Sequence, residues 1–70
     1  MRAREVCRRI ERHGGVLVRS TGSHRTYVLP YGGGRLMTRV SVHPGDIPTG
    51  TLHQIQRDLA PALGRGWLIP

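Results

Sequence analysis

The apolar residues change period once, at Gly14-Gly15, and that switch commits the chain to a mixed fold. Before it, Ala3, Val6, Cys7 and Ile10 recur at i, i+3, i+4 and i+7. This is the stripe of an amphipathic helix over residues 2–13. Glu5 and Arg9 form a favourable i,i+4 pair on its polar side. No Ser, Thr, Asp or Asn precedes the helix, so its first turn is expected to fray. The two glycines end it, because Gly takes a left-handed cap conformation without a Cβ penalty.

After the switch the segments are short, β-branched and punctuated by turn residues. Val16–Ser20 reads as a first strand and Thr21-Gly22 as a turn. His24–Leu29 reads as a second strand, stopped by Pro30. Tyr31–Arg35, with its run of three Gly, is a hairpin loop. Leu36–Val42 is a third strand, with Thr38, Val40 and Val42 on one face and Met37, Arg39 and Ser41 on the other. A second helix begins near Thr49, where Thr51 and Gln54 fit a capping box, and ends near Ala60 because of Pro61. Leu52, Ile55 and Leu59 form its apolar stripe. Residues 64–70 form a tail whose apolar end either docks on the domain, meets a partner or stays disordered. The reading is one α+β domain over residues 1–63, in the order α-β-β-β-α. An antiparallel three-stranded sheet carries both helices on one face and leaves the other open.

Composition narrows the function. Seventy residues leave no room for two lobes around a cleft. One cysteine excludes an intrachain disulfide and a multi-cysteine zinc site, and the four His show no ligand spacing. The longest apolar run is too short to span a membrane, and no signal peptide is recognisable, so a soluble cytoplasmic protein is expected. Eleven Arg, no Lys and only four acidic residues give a net charge of +7. A polyanion is the natural partner.

Several of these segments together resemble a known family. Gly22-Ser23-His24 follows the first strand and Tyr27 lies three residues on. A Gly-rich hairpin comes next, and Pro48-Thr49-Gly50-Thr51-Leu52 opens the second helix. With the first helix ending in Gly14-Gly15, this order resembles the HicA-type mRNA interferase toxins over residues 2–60. The resemblance implies a fold like the double-stranded RNA-binding domain. It also implies a type II toxin–antitoxin toxin that cleaves mRNA without a metal or other cofactor and is neutralised by a HicB-like antitoxin. The family's catalytic His maps onto His24. Two features depart from the family pattern: the order His43-Pro44 after the third strand, and the stretch Leu59–Pro70.

The residues themselves suit that chemistry. RNA cleavage without a metal needs a base for the 2′-hydroxyl and an acid for the 5′-oxygen, and imidazole serves in either role. Cations must offset the charge that grows on the phosphate. The candidate RNA-binding set is Gly22, Ser23, Arg25, Arg35, Arg39 and Arg57, around a catalytic His24. Ser23 either holds phosphate, orients His24 or caps the turn. His43 and His53 are the remaining acid–base candidates. Tyr27 either stacks on a base or belongs to the core, and Cys7 reads as a small buried hydrophobe. The alternative is a basic RNA- or DNA-binding module without catalysis. A third reading is a protein-interaction domain for an acidic partner.

Overall fold

A computed structural model covers Met1–Pro70 and has the expected order: α1 (Ala3–Arg12), β1 (Val16–Thr21), β2 (His24–Tyr31), β3 (Gly34–Ser41) and α2 (Thr49–Leu63). The sheet is antiparallel in the order β1-β2-β3. Both helices pack on one face, and their stripes meet Tyr27, Leu29 and Val40 in a single core. Ala3, Val6, Cys7 and Ile10 are all buried from α1, and Leu52, Ile55 and Leu59 from α2. No helix is long and apolar enough to cross a membrane.

The chain turns from α1 into β1 at Gly14, where φ is +97°, a conformation that favours glycine. Gly15 then passes so close to Ile10 that a Cβ there would overlap the Ile10 side chain. Helix end and core packing therefore both need this Gly pair. The first hairpin turns on Gly22-Ser23 and the second on Gly32-Gly33. In each, only the first central residue has positive φ, the pattern of a type II′ turn, whose twist matches that of the strands.

Four expectations are corrected. The first turn of α1 is tied down rather than frayed. Arg2 bridges Asp46, and the Ile47 amide donates to the Met1 carbonyl at 2.8 Å. Pro30 does not stop β2, which continues to Tyr31. Tyr31 and Gly34 close the hairpin, so at Pro30 the missing N–H faces the β1 side, where pairing has already ended at Val28. The capping box does not form. Because α2 starts at Thr49, Thr51 is already inside the helix, and Pro48 occupies the cap without a side-chain bond. Finally, α2 runs through Pro61 to Leu63. Pro61 and Arg57 are both exposed, so the Arg57 carbonyl that loses its donor meets water instead.

The tail is docked. Leu68 is 1% exposed within the core, with Trp67 and Ile69 packed beside it. The Gln56 side-chain oxygen accepts from the Leu68 and Ile69 amides at 2.9 and 2.7 Å. The Trp67 indole donates to the Gln56 carbonyl at 2.8 Å, and Arg9 donates to the Leu68 carbonyl at 2.8 Å.

Tyr27 is a core residue, 0% exposed, not a base-stacking surface. Its hydroxyl donates to Glu11 at 2.7 Å. Burial, then this bond, pushes the hydroxyl above its ordinary value near 10. The raised value means that Tyr27 contributes its full stabilisation below about pH 10 and loses it as the pH climbs towards the shifted value. Tyr27→Phe is expected to lose about 1 kcal/mol, or about 4–8 °C of melting temperature, at neutral pH. The gap to wild type should narrow above pH 10, which thermal melts across pH will read.

Candidate active site

The open face of the sheet is built from cross-strand rows, because directly paired residues point to the same side. Thr21, His24 and Ser41 form the row beside the first hairpin. Arg19, Thr26 and Arg39 form the next row, and Val16, Val28 and Met37 the third. Arg19, Thr21, His24, Thr26 and Arg39 line a shallow concavity of about 300 Å³ that opens to solvent.

Arg19 reaches this face through an irregularity in β1. The register shifts between Leu17 and Arg19 and leaves Val18 unpaired. In an unbroken ladder Val18 would lie opposite Thr26, and Arg19 would turn to the helix side. The bulge exchanges them. Arg19 and Arg39 then flank Thr26, about 10 Å apart at the backbone across two strand spacings. Their long side chains can converge on one anion above it. The Arg19 Nε donates to the Thr21 hydroxyl at 3.3 Å, which leaves the rest of its guanidinium fork free.

His24 is held by Ser41, whose hydroxyl lies 3.3 Å from Nδ1. That contact orients the ring and leaves Nε2 to meet a substrate. No carboxylate offsets the positive charge here. Glu5 pairs with Arg9, Glu11 accepts from Tyr27, Asp58 accepts from Thr38 and Gln54, and Asp46 lies beside the N-terminus. All four acids are thus engaged on the helices or the β3–α2 loop. The open face is an uncompensated cationic surface with one imidazole at its edge, suited to a phosphodiester.

The structure brings together only part of the expected set. His24 and Arg39 share the concavity, and Gly22 and Ser23 form the turn beside it. Gly22 has φ +58° and nothing within 4 Å of where a Cβ would stand, so the approach over the turn is open. Ser23 does not orient His24. Its hydroxyl instead lies 3.5 Å from His43 Nε2, and Ser41 holds His24. Three Arg lie elsewhere. Arg25 precedes Tyr27 by two and therefore points to the helix side, where the Tyr27 hydroxyl and the Cys7 thiol favour its charged form. Arg35 pairs with Pro30 near the second hairpin, six residues along β3 from Ser41, or about 20 Å. Arg57 lies on α2, across the sheet from the site, and donates to Gln54 at 3.0 Å. His53 is exposed on the same helix. Sequence reasoning missed Arg19, Thr21, Thr26 and Ser41. Strand alternation points to Thr26 and Ser41 once His24 is chosen, but nothing in the sequence marks the bulge that delivers Arg19.

The family described as HicA toxin of bacterial toxin–antitoxin matches residues 3–60. The chain belongs to the HicA toxin family. It is a toxin of a bacterial toxin–antitoxin pair, and a cognate antitoxin is its counterpart. No curated protein matches the chain. The match ends at Ala60, and the docked tail lies outside it.

Proposed function

We propose that this toxin is a metal-independent endoribonuclease that cleaves mRNA in the cytoplasm, with His24 as general acid or base and a HicB-like antitoxin as its inhibitor. The observation that carries this reading is His24 beside Arg19 and Arg39, across a concavity with no carboxylate in it. A phosphate seated between the two guanidiniums places its ribose 2′-oxygen or its 5′-oxygen towards His24. The 2′-oxygen attacks phosphorus, the 5′-oxygen leaves, and a 2′,3′-cyclic phosphate remains. His24 removes the 2′-hydroxyl proton or protonates the departing 5′-oxygen, and water or a substrate group completes the transfer. Arg19 and Arg39 stabilise the added charge on the phosphoryl oxygens. The open turn at Gly22-Ser23 admits the strand. Arg25 and Arg57 contribute at most long-range attraction to the polyanion, while Arg35, on the open face four residues along β3 from Arg39, can meet a phosphate farther along the strand.

The test is cleavage of single-stranded RNA in excess EDTA. The expected result is persistent cleavage that leaves cyclic phosphate ends, and none at a bond whose 2′-hydroxyl is replaced by hydrogen. Arg39→Ala should lower the cleavage rate about 10²-fold, the usual loss when one transition-state donor goes. Arg57→Ala should change it by less than about twofold. Salt-dependent binding without cleavage would favour the non-catalytic RNA-binding module instead. Equal losses from Arg39→Ala and Arg57→Ala would reduce the role of charge to diffuse attraction.

A further inference from the structure

The row beyond the two arginines is apolar and bare. Val16 and Met37 are each 56% exposed, with half-buried Val28 between them, on the face that carries the catalytic concavity. These side chains face away from the helices and contribute nothing to the core. The row lies two residues along β2 and β3 from Thr26 and Arg39, and three along β1 from Arg19 because of the bulge, about 7 Å farther on. Single-strand nucleic-acid sites combine a cationic track for the backbone with flat surface, usually aromatic, under the bases. Here cations are followed at one short step by an aliphatic shelf that can play the second part.

We infer that Val16, Val28 and Met37 form a platform for the nucleobase next to the scissile phosphate of single-stranded RNA. The inference rests on the ribonuclease reading and specifies its substrate. A phosphate on the Arg19–Arg39 row carries its neighbouring nucleoside over the third row, where the base loses contact with water. Met37 supplies a polarisable thioether against the base face, and the two valines supply a flat β-branched floor. A duplex does not fit, because its bases are stacked inside and it offers the sheet only ribose and phosphate. The platform has no hydrogen-bonding side chain, so it accepts any base and selects for unpaired RNA rather than for sequence.

The test uses a hexaribonucleotide and two copies that carry an abasic ribose on one or the other side of the cleaved bond. The variant is Val28→Thr/Met37→Thr, which preserves strand propensity and is checked by its melting curve. Wild type should show a KM about tenfold lower for the full substrate than for one of the abasic copies, with kcat within twofold. In the variant that gap should close, through a higher KM for the full substrate alone. A variant that loses equally on all three substrates, or a wild type indifferent to the missing base, overturns the platform. Unchanged RNA kinetics with weakened antitoxin binding or weakened self-association would assign the face to a protein and overturn it as well. If wild type cleaves none of the substrates, the ribonuclease reading fails by itself. Fluorescence anisotropy with the same oligomers then decides the platform, by the presence or absence of the abasic penalty.

Discussion

A chain truncated after Leu63 is expected to melt at least about 15 °C below the full-length protein, with Leu68→Ala alone producing most of the loss. Leu68 is buried to 1% exposure, and removing a leucine side chain from such a position costs about 2–5 kcal/mol. A domain of this size has about 4–10 kcal/mol in total, and each kcal/mol shifts its melting temperature by about 4–8 °C. Truncation also removes the donors that occupy the Gln56 side chain and backbone carbonyl, and exposes the apolar surface under Trp67 and Ile69. Trp67 lies edge-on to His13 at the end of α1 and Gln56 belongs to α2, so the tail ties the two helices together. Differential scanning calorimetry of the truncated chain and of Leu68→Ala measures both effects. The tail sits on the helix side of the sheet, opposite His24. Cleavage by the truncated chain, assayed well below its melting temperature, should therefore match wild type. A melting shift under about 3 °C would show that the docked tail adds little to the core.

The amphipathic pattern of the sequence translated into structure wherever one face was buried. The α1 stripe and the alternation of Thr38 and Val40 against Met37 and Arg39 both appear in the burial of those residues. Thr38, a buried hydroxyl among apolar neighbours, is satisfied by Asp58 at 2.9 Å, a pairing across elements that sequence spacing does not reveal. Local rules failed where tertiary context overrode them. Pro30 lies beyond the last β1 pair, Pro61 lies on an exposed helix edge, and Trp67, Leu68 and Ile69 find their place only once Gln56 is folded beside them. The site was half legible. His24 and Arg39 follow from the motif and from strand alternation. The side chains of Arg25, Arg35 and Arg57 do not join His24 in the concavity: one points to the helix side, one is at the far hairpin and one is on α2. Arg19 was hidden, because a single unpaired residue at Val18 decides which face it joins.

The largest functional effect is expected from substitution of His24. Its ring is exposed and makes one side-chain hydrogen bond, to Ser41, so His24→Ala should leave the melting temperature nearly unchanged. Arg19 and Arg39 remain in place to bind phosphate, so RNA affinity should stay within about threefold of wild type. On the proposed mechanism the chemical step loses its proton-transfer group, a contribution of about 10²–10⁴ in rate. Growth arrest on expression should disappear with it. The most direct measurement is single-turnover cleavage of saturating single-stranded RNA by wild type and His24→Ala in EDTA. A rate about 10³-fold lower, with binding and fold retained, is the expected result. Cleavage by His24→Ala within tenfold of wild type would contradict the assignment of His24 as the catalytic acid or base.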